Sequence, residues 1–134
     1  MSLLERELRE QPAALARLLE RQSEYAAELG ALLHRDDVRY LLIASRGSSS
    51  NAARYAQYLL GRASRVPVAF ATPSLYTLYE QPPRLDGALV VGISQSGESP
   101  DVVAVLAEAR RQGRAFARGR ACVDQGRPAR DRGP

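Results

Sequence analysis

The chain has no lysine and no tryptophan, and only one cysteine, one histidine and one methionine among its 134 residues. Each scarcity excludes something. Without lysine the chain cannot itself supply an amine nucleophile or a Schiff base. A lone cysteine, Cys122, allows no internal disulfide and no cysteine-rich metal cluster, so no metal or cofactor is expected. The single histidine, His34, falls at the end of a helical pattern, where a solvent-facing role is expected. Long apolar runs are missing too. No stretch approaches the roughly 20 residues that span a bilayer. The start, MSLLERELREQ, is charged and lacks the apolar centre of a signal peptide. No membrane partner is therefore expected, and the location expected is the cytoplasm.

All 19 basic residues are arginine, against 15 acids, giving a formal net charge of +4. The excess is unevenly spread. Residues 1–113 carry thirteen arginines and thirteen acids. Residues 114–134 carry six arginines against Asp124 and Asp131. A basic balance ordinarily raises the prospect of nucleic acid. Here the body is neutral and the basic stretch holds one aromatic, Phe116, so no nucleic-acid partner is expected.

What is present is an alternation of helical and strand patterns in a chain that is 45% apolar, as in an α/β protein. Residues 11–33 have apolar side chains at a helical period, predicting one helix with one buried face. Pro12 fits its first turn, and Gly30 marks a kink or an early end. The dense apolar run at 38–44 reads as a strand buried on both faces, as parallel strands are. Ser45 to Ser50 follow, then a helix over 51–60 closed by Gly61. A strand at 66–70 leads to a short helix, with Thr72 as cap and Pro73 at its first position. A third strand spans 88–93, and a helix over 99–112 ends at Gly113. Beyond Gly113 no four consecutive apolar residues occur. Residues 114–134 read as a disordered tail or as sequence out of frame. The expected architecture is a three-layer, flavodoxin-like parallel sheet, incomplete after its third strand. Residues 1–113 form its domain.

Residues 92–101, GISQSGESPD, carry the most chemistry. A strand runs into a turn of hydroxyls and glycine that opens a helix. The first N–H groups of a helix lack internal partners, and its dipole leaves positive charge there. Ser94, Ser96 and Ser99 would join those donors around one small anion, most naturally a phosphate. Gly97 lets the backbone approach closely. With no lysine nearby and no P-loop spacing, the ligand is smaller than a nucleotide triphosphate.

Three segments, in order, resemble the sugar isomerase (SIS) domain family, most closely the first of two such domains in the isomerase half of glucosamine-6-phosphate synthase and its deaminase-like relatives. Glu10-Gln11-Pro12 with Ala13 and Leu15 resembles the EQP-x-x-L segment that leads that half. Ala44-Ser45-Arg46-Gly47-Ser48-Ser49 with Ala52-Ala53 resembles the first sugar-phosphate loop. Residues 93–101 resemble the second, S-x-S-G-E-T/S-x-D. The resemblance covers roughly residues 8–113. It implies that Ser94, Gln95, Ser96, Gly97 and Ser99 hold the phosphate of a hexose 6-phosphate, such as fructose 6-phosphate or glucosamine 6-phosphate. Gly47, Ser48 and Ser49 would reach phosphate or sugar hydroxyls from the first turn. Asp101 and Glu98 would cap or neutralise locally, and Arg46, where the family often has a smaller residue, would add charge.

The family's ring-opening histidine, proton-shuttling glutamate and carbonyl-facing lysine lie in a second half. No catalytic residue is therefore assigned here, and the expectation is binding without turnover. Tyr76 and Tyr79 are expected to pack rather than to stack on sugar. A sugar-phosphate-sensing regulatory module is the alternative, although the residues before the first strand read as one helix and not as a helix-turn-helix. The family also implies a homodimer.

Overall fold

A computed structural model describes residues 1–120, so Cys122 and the rest of 121–134 lie outside the described residues. Nine elements follow one another: α1 (Leu3–Arg21), α2 (Ser23–Leu33), β1 (Tyr40–Ser45), α3 (Ser49–Ser64), β2 (Val68–Phe70), α4 (Ser74–Thr77), β3 (Ala88–Ser94), α5 (Pro100–Arg111) and β4 (Phe116–Arg120). The four strands form one all-parallel sheet in the order β2-β1-β3-β4. That order is the flavodoxin-like one.

The pleat sorts the strand residues into two cores. Leu41, Ile43, Leu89 and Val91 face α2 and α3, packing with Leu33, Ala53 and Leu60. Leu42, Ala44, Ala88 and Val90 face α4 and α5, packing with Tyr76, Val102, Val105, Leu106 and Ala109. The sheet is thus covered on both sides, which explains why β1 and β3 are continuous apolar runs. The crossover through α3 moves from β1 toward one edge and that through α5 from β3 toward the other. They lie on opposite faces, as a common handedness requires.

Five details correct the sequence reading. First, the pattern does not stop at Gly113, because residues 116–120 form β4, paired in register from Val90↔Phe116 to Ser94↔Arg120. An edge strand takes its backbone hydrogen bonds from one neighbour and needs no apolar run. Second, residues 11–33 form parts of two helices broken at Gln22, and Pro12 lies inside α1 because Ser2 starts that helix earlier, accepting from the Glu5 N–H at 3.1 Å. Third, the apolar face of α1 is not covered; none of its residues is buried. Fourth, α3 runs through Gly61 and ends at Arg65, which takes a left-handed φ of 60°. Gly61 lies inside the helix instead, where a Cβ would make ordinary contact with Val68 at 3.4 Å. Fifth, the short helix begins one residue later than expected, with Pro73 rather than Thr72 at the cap.

Candidate functional site

Strand order and connection order together define a switch point. β1 and β3 are neighbours, yet their following helices depart toward opposite edges, which leaves a crevice beyond their carboxyl ends. Ser45 pairs with Ile93 in the ladder, so the turn at 46–48 and the turn at 95–99 open side by side into that crevice. Both serine-rich segments singled out from the sequence meet there.

The second turn is held by its own hydroxyls. Ser94 Oγ accepts from the Gly97 N–H at 3.1 Å, and Ser96 Oγ accepts from the Glu98 N–H at 3.1 Å. An oxygen that accepts keeps its own hydrogen to donate. Ser94 is buried at 6% exposure, whereas Gln95 and Ser96 are exposed. Gly97 is itself buried and takes a φ of +73°, a left-handed conformation that folds the turn back on itself. Ser99 caps α5 and Pro100 occupies its first turn. The helix amides that follow lie at the positive end of the α5 dipole.

The first turn is built differently. Ser49 Oγ donates to the Arg46 carbonyl at 2.7 Å and accepts from the Arg46 N–H at 3.0 Å, which locks the turn. Ser49 is 8% exposed, so its hydroxyl holds the loop rather than facing the crevice. Gly47, with a φ of +64°, and Ser48 are exposed and form the outer rim. Ser45 and Ser50 Oγ lie 3.3 Å apart and tie the strand end to the first turn of α3.

One ion pair joins the two turns. Arg46 Nη1 lies 2.8 Å from Asp101 Oδ2, with Arg46 exposed and the carboxylate 24% exposed. The two side chains thus pair with each other across the rim, so neither charge stands alone there. The sequence could have placed both residues near the site, but not their contact. Gly92 was not singled out and matters as much: a Cβ there would stand 2.8 Å from Leu106 Cδ1 and 3.1 Å from Val102 Cγ1. Its bareness seats α5 tightly against β3 and so fixes where the helix N-terminus points.

The remaining candidates lie elsewhere. His34 is exposed at the end of α2, its Nδ1 donating to the Gly30 carbonyl at 2.8 Å, shortly before β1 begins and so toward the end of the strands opposite the two turns. Tyr76 packs against the α5 core, whereas Tyr79 is exposed. Among the described residues no cluster of three or more metal-ligating side chains occurs. No helix there is long and apolar enough to cross a membrane.

The fold and the two adjacent turns define a phosphosugar-isomerase type of domain. Among solved structures, a protein from Silicibacter pomeroyi DSS-3 assigned as a phosphosugar isomerase aligns at a TM-score of 0.74 and 36% identity, over 84% of this chain and 35% of its own. The C-terminal domain of glucosamine-fructose-6-phosphate aminotransferase from Francisella tularensis aligns at a TM-score of 0.63 and 25% identity, over 89% and 34% of the two chains. Curated relatives agree. The glutamine–fructose-6-phosphate aminotransferase of Thermus thermophilus is 35% identical over 111 residues, and that of Bordetella parapertussis 36% identical over 113. These alignments take in 81% and 82% of the chain but 18% of each relative. No family model matches. The chain belongs to the sugar isomerase (SIS) domain family and is homologous to a segment of the glutamine–fructose-6-phosphate aminotransferases.

Proposed function

We propose that the chain binds the phosphate of a hexose 6-phosphate in the crevice between the β1 and β3 turns, and that it does so without turnover. The observation that carries this reading is the pairing of the two serine-rich turns at the switch point, with the Ser94 and Ser96 hydroxyls oriented as acceptors by turn amides. The exposed Ser96 hydroxyl keeps a hydrogen to donate to an anion. Ser96, Gln95 and Ser99 with the α5 amides provide the contacts, Ser48 adds a rim hydroxyl, and Ser49 and Ser94 hold the turns in shape. The names of the relatives support a phosphorylated ketose or aminosugar as the ligand. Within residues 1–120 the crevice holds neither histidine nor lysine, so it binds and orients but has no ring-opening group.

Calorimetric titration with fructose 6-phosphate, glucosamine 6-phosphate and unphosphorylated fructose tests the reading. Both phosphates should bind and fructose should not. Ser96→Ala should weaken binding by roughly tenfold to a hundredfold, the worth of one hydrogen bond to a charged group. Equal binding of fructose and its phosphate would overturn the phosphate assignment.

A further inference from the structure

Arg46 has a fixed root and an exposed head. Its N–H and its carbonyl are both bonded to Ser49 Oγ, which holds its backbone in place. Its side chain is 67% exposed and meets one charge, with Nη1 2.8 Å from Asp101 Oδ2. Arg35 and Arg111 hold their carboxylates more firmly. Each donates through both Nε and Nη2, at 2.9 and 2.6 Å, to Asp37 and Glu108 respectively. Arg46 Nε and Nη2 make no hydrogen bond among the described residues. Two sides of its guanidinium fork are therefore still to be used.

The charge around the crevice shows what could use them. In residues 45–50 and 92–103, which contain both turns, Arg46 is the only basic residue, against Glu98 and Asp101. One positive charge against two negative ones leaves the rim net negative. A phosphate monoester brings close to two further negative charges at neutral pH. Asp101 stands in the first turn of α5, where the helix dipole favours an anion of either kind. Carboxylate and ligand thus compete for the same guanidinium at the same helix end. An exposed ion pair made through one nitrogen is weak. A guanidinium that grips a phosphate through two parallel N–H groups makes one of the stronger hydrogen-bonded pairs. The exchange favours the ligand.

We propose that Arg46 and Asp101 form a charge latch, in which the Asp101 carboxylate holds the guanidinium until a dianionic phosphate monoester displaces it. Arg46 is then the residue that selects a dianion, and Asp101 is an internal competitor that lowers the affinity. The inference rests on the phosphate reading of the crevice and assigns to it two residues that this reading leaves out. A clasp that merely ties the two turns together would have the opposite consequence, because Asp101 would then aid binding.

Titration of the full chain with fructose 6-phosphate separates the two, using Asp101→Asn, Arg46→Gln and both together. Asp101→Asn keeps the side-chain shape and removes the competing charge. It should tighten binding by about twofold to fivefold, the worth of an exposed ion pair. Arg46→Gln should weaken binding by about tenfold or more. In the double variant the gain from Asp101→Asn should largely vanish, because the group it frees is gone. Arg46→Lys, which keeps the charge and loses the fork, should recover part of the loss. Urea midpoints should stay close to that of the unaltered chain throughout. Weaker binding by Asp101→Asn identifies a clasp and overturns the latch. Unchanged binding by Arg46→Gln overturns it too, and either result leaves the phosphate reading standing. If neither the unaltered chain nor Asp101→Asn binds the sugar phosphate, the phosphate reading itself falls and takes the latch with it.

Discussion

At the scale of single residues, the serines of the two turns divide by what their hydroxyls already do. Ser49 both donates and accepts within its own loop, so its value is positional. Ser96 only accepts and is exposed, which leaves it a donor to offer. Sequence alone treats these hydroxyls alike, because a serine code carries no record of whether its hydrogen is spent. Tyr76 shows the opposite economy. Its hydroxyl is buried with no hydrogen-bond partner among the described residues. Burial, reinforced by Tyr40 and Glu108, holds its pKa above the usual tyrosine value. A buried, unpartnered hydroxyl is a cost that the ring's packing must offset. Tyr76→Phe should keep the ring against the α5 core and stabilise the fold by about 1 kcal/mol, read as a higher urea midpoint with unchanged slope. A lower midpoint would mean that the hydroxyl has a partner.

At the scale of elements, the placement of α5 decides whether the second turn can work. Its N-terminus is aimed by close contact with β3 at Gly92, where a Cβ would meet Leu106 and Val102 inside van der Waals distance. Leu106 Cδ1 is the tip of a flexible side chain and can turn partly aside, but Leu106 and Val102 are both buried, so part of the strain passes to the helix. Gly92→Ala should therefore destabilise by about 1–3 kcal/mol, as overpacking does. It should also weaken phosphate binding, although the residue touches no ligand. Unchanged affinity with lowered stability would show that the helix tilt is immaterial to the turn.

The same scale shows how much was legible beforehand. β1, β3 and α5 were, because buried strands and a Ser-Pro helix start are written in apolar runs and cap residues. The end of α3 was not, since Gly61 looks like a stop but lies inside the helix, and Arg65 takes the left-handed position instead. Nor was the bareness of α1, because an amphipathic period says that a face will be covered but not by what. The two turns were singled out from their residues. Their adjacency, and the Arg46–Asp101 bridge between them, depend on a strand order that no local pattern encodes.

At the scale of the whole molecule, the neutral body and the arginine-rich end are not separate pieces, because the sheet draws the first part of that end into itself. The Ala115 carbonyl accepts from the Val90 N–H at 3.1 Å, Ala117 is buried, and the ladder continues to Arg120. Arg114 lies 3.2 Å from Asp86 and fastens the approach to the strand. Without β4, the edge of β3 would present its backbone groups and part of the α5 core to water. A chain ending at residue 120 should consequently be more stable than one ending at 113. The difference should be on the order of 2–4 kcal/mol, from a few ladder hydrogen bonds and the apolar area of Phe116 and Ala117. The shorter chain should also self-associate through its bared edge, and added hexose phosphate should not rescue it, because the deficit is in the sheet and not at the turns. Equal urea midpoints for the two chains would mean that β4 contributes nothing to the fold. The domain would then end at Gly113, where the apolar pattern of the sequence ends.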